Sequence, residues 1–420
     1  MRDMCLLRNL ICAVMLLFLL LPASEKVTVI KAGQLIDPEE GTIQKNIVIL
    51  VEGKKIRAIG KGLSIPEGAQ VIDLSDMTVL PGLIDCHTHL CNTFDTKGDV
   101  GATLLLYNLT VTTAERALHG VANARSMLES GFTVVRDMGN AGNYADVALR
   151  RAIDDGLVPG PKMYVSGKII APFGGQYILD PEFPDLGRHD YIYADTKDEI
   201  KKGIRQNIHF GVDWIKIVVD DYPYIYSEDD IRFFVEEAAK SGLKVAAHCV
   251  TEQGAHNAAE AGLTSIEHGF EMSDATLEIA KKKGVVLVAT DFTQEIMDLY
   301  QFFSQSRSEI INRLKRAYRI GIPLVYGSDI IAEVPGHTRG SVSLTLIDTW
   351  VEAGIPAKEI LRALTTNGAR LLDIEGERGN LKKGMFADII AASENPLENI
   401  NALKKVRFVM KEGQIYKKIL

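Results

Sequence analysis

Residues 79–89 of this 420-residue chain read Val-Leu-Pro-Gly-Leu-Ile-Asp-Cys-His-Thr-His, an apolar run that ends in two histidines. Alternate side chains of a β-strand point to the same side, so His87 and His89 face one spot while Cys86 and Thr88 turn away. Imidazole is a good ligand for zinc, iron, nickel and copper. A His-x-His pair alone is weak evidence, so its meaning depends on the rest of the chain.

Four more segments have the same pattern, in which an apolar run ends at a polar residue. They end at Lys216, His248, His268 and Asp329. Bounding glycines and the helical patterns that follow are typical of repeated βα units. In a TIM barrel, residues at the carboxyl ends of different strands meet at one mouth. The chain is therefore predicted to be an α/β protein whose strand-end residues form a single site.

Helical patterns alternate with these runs through the middle of the chain. Helices are predicted over residues 113–130, 145–155 and 228–241, the last with Ser227 as its N-cap and Gly242 after its end. Both chain ends instead carry short strands at β-hairpin spacing.

These segments resemble the amidohydrolase superfamily of metal-dependent hydrolases. Residues 81–89 resemble its strand-one signature, and the segments around the other four polar residues resemble strands four, five, six and eight. Residues 365–372 and 379–389 resemble its C-terminal segment, so the likeness runs from about Val27 to the end. Within this superfamily, the sequence motifs are most similar to those of the branch that contains imidazolonepropionases and dipeptidase-like members.

The resemblance implies a TIM (β/α)8 barrel with a small β-sandwich domain built from both chain ends. Residues 81–378 would form the metal-binding barrel, and residues 25–80 and 379–420 would form the two parts of the sandwich. The length agrees, because 420 residues exceed the roughly 250 that one barrel needs.

The resemblance also implies a centre of two divalent metal ions, with zinc expected. His87, His89 and Asp329 would hold the buried ion, while His248 and His268 would hold the outer one. A hydroxide shared by the ions would attack a carbonyl carbon. Asp329 would be the catalytic residue that takes the proton and passes it to the leaving group.

Lys216 is the unusual member of this ligand set. A cation repels an ammonium group, and a neutral amine is a poor ligand. The resemblance therefore implies that carbon dioxide carboxylates Lys216 to a carbamate that bridges both ions. Taken alone, a strand-end lysine paired with Asp213 or Asp220 is the alternative interpretation. A bridging lysine favours hydrolysis of an amide, lactam or ester over deamination.

Three functions remain open at this point. The first is a two-metal hydrolase of a C–N bond in a small-molecule amide, such as a dipeptide or an N-acyl amino acid. The second is a hydrolase of a cyclic amide or lactone. The third is a non-catalytic scaffold, against which the complete set of ligand types argues.

The residues that would contact substrate are less well defined. Dipeptidase-like relatives carry Gly-Gly-His after the third strand, where residues 173–176 are Phe-Gly-Gly-Gln, and often Tyr or His where this chain has Val250. The candidates at the barrel mouth are Arg136, Gln176, Tyr226, His337 and Arg339. Arg136 or Arg339 could clamp a carboxylate through two hydrogen bonds. An ordinary loop salt bridge is the alternative for each arginine.

The first 24 residues form a separate segment. Arg2 and Arg8 precede an apolar run from Leu10 to Leu21, the pattern of a signal peptide. The run is short for a bilayer span of about 20 residues. No Ala-x-Ala cleavage site follows, so an uncleaved anchor is the alternative. We expect export, with membrane attachment only through this leader.

Composition restricts the partners and the redox chemistry. The net charge is −8 and no block of Lys and Arg occurs, which argues against nucleic acid as a partner. A homo-oligomer is expected. Beyond the leader, Cys86, Cys91 and Cys249 make an odd number, and we predict that they are buried free thiols.

Overall fold

The computed structural model describes residues 27–139, 142–177, 179–221, 224–301 and 304–419. The predicted leader, residues 1–24, lies outside the described residues. Within the described ranges, no helix is long and apolar enough to cross a membrane.

The strands of the described residues are β1 (Thr28–Asp37), β2 (Thr42–Glu52), β3 (Lys55–Gly60), β4 (Gln70–Pro81), β5 (Leu83–Thr88), β6 (Phe132–Asp137), β7 (Lys162–Val165), β8 (Ile169–Ala171), β9 (Tyr191–Tyr193), β10 (Trp214–Val218), β11 (Lys244–Cys249), β12 (Ser265–His268), β13 (Val286–Ala289), β14 (Leu324–Tyr326), β15 (Ile389–Ala392), β16 (Phe408–Lys411) and β17 (Gln414–Lys418).

The α-helices are α1 (Val100–Thr110), α2 (Thr113–Glu129), α3 (Ala145–Asp154), α4 (Lys197–Phe210), α5 (Glu228–Ala239), α6 (Glu252–Ala261), α7 (Asp274–Lys283), α8 (Gln294–Tyr300), α9 (Arg307–Ile320), α10 (Arg339–Ser343), α11 (Ile347–Glu352), α12 (Ala357–Ala363) and α13 (Thr366–Leu371). Short 3-10 helices occupy Leu186–His189, Leu344–Leu346 and Ile400–Lys405.

Three of these helices match the sequence patterns. α2, α3 and α5 lie within one or two residues of the predicted bounds. The Ser227 side chain accepts a hydrogen bond from the Asp230 amide, so it is the N-cap of α5 as predicted. Gly242, just past this helix, has a φ of 70°, which glycine adopts without strain.

Both chain ends contribute to one mixed sheet, with the strand order β17-β16-β15-β4-β1-β2-β3. β4 pairs in parallel with β1 and antiparallel with β15, so it joins the N-terminal strands to the C-terminal ones. Ile30, Ile49, Ile72, Phe408 and Met410 pack in its core. The β-sandwich arrangement expected for these strands stays a prediction.

The middle of the chain is an α/β fold of the TIM-barrel type. All strand pairs in its two sheets are parallel, in the orders β5-β6-β7 and β9-β8-β10-β11-β12-β13-β14. The last of these strands, β14, lies against β5. Just past β14, the Asp329 amide donates to the backbone oxygen of His87 at 2.8 Å. The ends of the first and last barrel strands therefore meet.

The third position of the barrel is divided between two short strands. β7 pairs with β6, whereas β8 pairs with β10. Gly167 lies between them with a φ of 66°, and a Cβ there would come within 2.7 Å of Tyr144 and Val212 carbons. Only glycine fits this bend, which turns the chain from one sheet to the other.

The cysteines agree with the sequence analysis. Cys86, Cys91 and Cys249 are free and buried. Burial raises the pKa of each thiol, so all three are protonated at neutral pH.

Candidate metal centre

One pocket at the carboxyl ends of the barrel strands contains all the predicted ligands. Its volume is about 200 Å³. The predicted ligands that line it are His87, His89, Lys216, His248, His268 and Asp329. They come from β5, β10, β11 and β12 and from the segment after β14. The structure thus brings together side chains that are more than 200 residues apart in the sequence.

The His87 and His89 rings converge on Asp329. Their Nε2 atoms lie 3.3 Å apart, and Asp329 Oδ1 is 3.4 Å from the first and 3.1 Å from the second. His268 Nδ1 lies 3.6 Å from the other carboxylate oxygen, Oδ2. The ligand atoms of His87, His268 and Asp329 fall within 4.8 Å of one another, close enough to surround one cation.

Contacts behind the two rings determine which nitrogen faces the pocket. His89 Nδ1 lies 2.8 Å from the backbone oxygen of Gly139, and His87 Nδ1 lies 2.7 Å from Glu267 Oε2. Carbonyl and carboxylate oxygens accept hydrogen bonds, so Nδ1 carries the proton in each neutral ring. Nε2 then presents its lone pair to the pocket, as metal-binding histidines with such partners do.

Burial favours the uncharged forms that bind a metal. It lowers the pKa of His87 and His268 well below the usual value, with neighbouring cationic groups acting in the same direction. Both rings are therefore neutral at pH 7. Burial also lowers the pKa of Lys216 to about 8, against the pull of nearby carboxylates. A free amine, the form that reacts with carbon dioxide, is therefore populated at neutral pH.

Asp221 is a pocket residue that the sequence analysis missed. Its Oδ2 lies 2.7 Å from His248 Nε2 and accepts a hydrogen bond from Gln176 Nε2 at 2.6 Å. Its φ is 102°, and His268 and Asp329 also have positive φ values, 68° and 52°. Strained backbone of this kind concentrates at functional sites. The one sequence signal was its position three residues after β10.

Asp220 has a different role from its neighbour. Its carboxylate accepts hydrogen bonds from the Val250 and Thr251 amides and from the Thr251 hydroxyl. It therefore fixes the segment after β11, while Asp221 and His248 face the pocket. Neutral imidazole nitrogens and carboxylate oxygens are the donors that zinc prefers. The residues present therefore fit a divalent metal centre.

Two predicted substrate contacts are held inside the fold instead. Arg136 is fully buried, and its guanidinium donates to the Cys86 carbonyl, to Ser265 Oγ and to Glu267 Oε1. Tyr226 is 1% exposed, and its hydroxyl donates to the backbone oxygen of Ala194, between β9 and α4. Neither side chain is part of the described pocket lining, so this structure does not place either one against a substrate there.

Of the other three candidates for substrate contact, only one lines the pocket. Arg339 donates to the backbone oxygens of His89, Asn92 and Ile330, so it holds loops together rather than clamping a carboxylate. His337 is exposed in a different depression of the surface. Gln176 lines the same pocket as the predicted ligands, in agreement with its expected position at the barrel mouth.

Glu267→Gln is expected to weaken zinc binding by about 10- to 100-fold, the usual cost of losing the outer partner of a ligand histidine. The matched control is Ser265→Ala, which loses a hydrogen bond to Glu267 Oε1 but leaves the His87 contact on Oε2. Competition with a chromophoric chelator measures both affinities. Unchanged zinc affinity in Glu267→Gln would show that this carboxylate does not support His87.

Comparison with known proteins identifies the family. Residues 78–416 match the profile of the Amidohydrolase family. The chain belongs to the amidohydrolase family. The match spans every strand that carries a predicted ligand, so the resemblance drawn from the strand-end motifs is confirmed.

This amidohydrolase is similar to hydrolases of C–N bonds. Ochratoxinase of Aspergillus niger is 29% identical over 93% of this chain and 87% of the relative. Imidazolonepropionase of Thermoanaerobacter pseudethanolicus is 25% identical over 84% of this chain and 86% of the relative. Among solved structures, a Xaa-Pro dipeptidase with methionine bound in its active site has a TM-score of 0.82 and 29% identity, covering 93% of this chain and 100% of the dipeptidase.

Proposed function

We propose that this amidohydrolase cleaves an amide bond with the help of two divalent metal ions, with zinc as the expected metal. The pocket itself carries the proposal, because six donor side chains from five strand ends converge in it. Names such as ochratoxinase and Xaa-Pro dipeptidase among its relatives support hydrolysis of a C–N bond.

We assign the ligands to two groups, one for each ion. His87, His89 and Asp329 would hold one ion, and His248 and His268 would hold the other. Lys216, carboxylated by carbon dioxide, would lie between them. When bound, the ions supply Lewis-acid activation of a water molecule and of the scissile carbonyl group.

We assign the transfer of the proton in this reaction to Asp329. Burial raises the pKa of Asp329, but the combined electrostatic effect of the basic groups around it, Lys216 among them, outweighs burial, so the pKa lies below its ordinary value. Asp329 is therefore ionised at neutral pH and can accept a proton from the attacking water. It can then deliver that proton to the leaving nitrogen, which is general acid–base catalysis.

A cyclic amide or lactone is the second candidate substrate. The similarity to imidazolonepropionase favours it, since that name denotes a cyclic substrate. The same pocket would hold the carbonyl carbon of either substrate. A non-catalytic scaffold is the third candidate, and the complete ligand set argues against it.

A hydrolysis screen tests the proposal. Zinc-loaded protein is assayed against linear amides, lactams and lactones, before and after removal of metal with a chelator. We expect turnover of at least one linear amide that disappears with the metal and returns with zinc. Turnover confined to lactams or lactones would favour the cyclic alternative. No turnover of any class would favour a scaffold.

We also propose that residues 1–24 direct export of the chain, with cleavage near residues 24–27. Mass spectrometry of the mature N-terminus in the secreted and membrane fractions measures this. A chain that keeps residues 1–24 in the membrane fraction would instead show an uncleaved anchor. The homo-oligomer expected from the sequence likewise stays a prediction.

A further inference from the structure

Apart from the proposed metal ions, the described lining of the pocket offers no spare cation to a substrate carboxylate. Apart from the six predicted ligands, none of its described lining residues is Lys, Arg or His. Arg136 and Arg339, the two arginines that the sequence analysis offered for this role, are engaged with the protein itself. Two further arginines contact lining residues and are also engaged: Arg307 donates to the Phe292 backbone oxygen, and Arg313 pairs with Asp291. The sequence positions not described between residues 27 and 419 carry no basic residue either: they are Asn140, Ala141, Ile178, Tyr222, Pro223, Phe302 and Phe303.

The lining instead adds a negative charge. The Asp221 side chain is 26% exposed and is oriented by Gln176, whose Nε2 donates to it at 2.6 Å. Gln176 Oε1 accepts from the Tyr191 hydroxyl at 2.7 Å, which fixes the direction of the amide. A second lining amide, Gln305, donates to Glu271 Oε1 at 3.0 Å. Both amides therefore donate to carboxylates of the protein, and an incoming carboxylate would meet a like charge.

The rest of the lining is largely apolar. It consists of Ile169, Val250, Phe270, Phe292, Tyr300 and Ile331, with the hydroxyl of Ser304. The Phe270 ring lies 5.6 Å from the His268 ring, and Phe292 lies 5.8 Å from Tyr300, measured between centroids. An aromatic wall thus stands directly beside the metal ligands. Such walls bind uncharged apolar groups by removing them from water.

We infer that the substrate is a small apolar amide with no carboxylate next to the scissile bond. This inference rests on the proposed amide hydrolysis and narrows it. It departs from the dipeptide or N-acyl amino acid expected from the sequence, because both carry a carboxylate at that place. The volume of about 200 Å³ restricts the substrate further to compact groups.

Three matched compounds test the inference on the zinc-loaded full chain. They are N-acetyl-L-phenylalanine, its primary carboxamide, and N-acetylphenethylamine, in which hydrogen replaces the carboxylate. The carboxamide keeps the size of the acid without its charge. Hydrolysis is measured as kcat/KM, and binding is measured by calorimetry. For both neutral compounds, we expect kcat/KM and the binding affinity to be about tenfold or more higher than for the acid.

The possible results separate the inference about uncharged substrates from the proposed amide hydrolysis. Preference for the acid, or a carboxamide that behaves like the acid, would overturn the inference, because charge would not be what the pocket selects. Failure of all three compounds to bind at millimolar concentration would overturn it as well. Neutral compounds that bind better than the acid but are not hydrolysed would refute amide hydrolysis and leave the selectivity standing.

Asp221→Asn tests where the selectivity originates. Asparagine keeps the size and removes the charge, so the ratio of neutral-compound to acid binding should fall by about tenfold, while the two neutral compounds keep their order. Asp298→Asn, a change at an exposed acid on α8, is the matched control and should leave the ratio unchanged. An unchanged ratio in Asp221→Asn would overturn the role given to this carboxylate.

Discussion

Lys216→Ala is expected to lower kcat/KM by about 10³-fold or more while the fold survives. Lys216 is 2% exposed and reaches the pocket from β10, in the same lining as the four predicted histidine ligands. No other lysine lines the described part of the pocket, so nothing replaces the proposed bridge. Loss of metal polarisation removes several kcal/mol of transition-state stabilisation, at about 1.4 kcal/mol for each tenfold in rate. Kinetics and zinc content are measured on the same sample.

Chemical rescue separates the bridging role from damage to the fold. A millimolar short carboxylate, such as acetate, should partly restore activity in Lys216→Ala by occupying the place of the carbamate. Lys411→Ala is the matched control, because Lys411 is also buried, at 7% exposure, but donates to the Gly160 carbonyl. This control should lose stability and keep kcat/KM. Full activity and full metal content in Lys216→Ala would make Lys216 a bystander.

Asp329→Asn is expected to lower kcat by about 10²- to 10⁴-fold, the usual range for general acid–base catalysis. Asparagine keeps the shape and one carbonyl oxygen but takes no proton at neutral pH. Melting temperature and much of the bound metal should therefore survive. Stopped-flow kinetics, thermal melting and metal analysis on one preparation separate the loss of the proton carrier from the loss of a ligand.

Asp388→Asn is the control for a buried carboxylate outside the pocket. Asp388 is 3% exposed, directly precedes β15 and pairs with Arg378. The change should lower stability, since breaking a buried pair typically costs about 3–5 kcal/mol, without lowering kcat. If Asp329→Asn keeps a kcat near wild type with metal bound, another group must carry the proton.

The parts of the fold with local signals could be predicted from the sequence. Ser227 marks the start of α5 through its hydrogen bond to a nearby amide, and Gly242 marks its end through its own positive φ angle. Both signals are local, so the sequence shows them. The pairing of β4 with both β1 and β15 joins segments more than 300 residues apart, and no local pattern specifies it. The division of the third barrel position around Gly167 likewise depends on packing against Tyr144.

The convergence of the six predicted ligands in one pocket was predictable, because a strand end fixes both the position and the direction of a side chain. His87, Lys216 and Asp329 each follow an apolar run, and the barrel brings such ends to one mouth. Substrate contacts have no such constraint. Arg136 lies on β6, which is buried throughout, so its long side chain reaches Glu267 inside the barrel rather than the pocket. Asp221 belongs to no motif, and only the folded loop brings it to His248.

Metal stoichiometry tests the central claim most directly. Elemental analysis of the purified wild-type chain, compared with its measured protein concentration, should give about two divalent ions per chain, mainly zinc. Removal of the ions with a chelator should abolish hydrolysis, and zinc should restore it in proportion to the metal that is bound again. A protein that contains no divalent metal and stays active in the presence of the chelator would contradict the account.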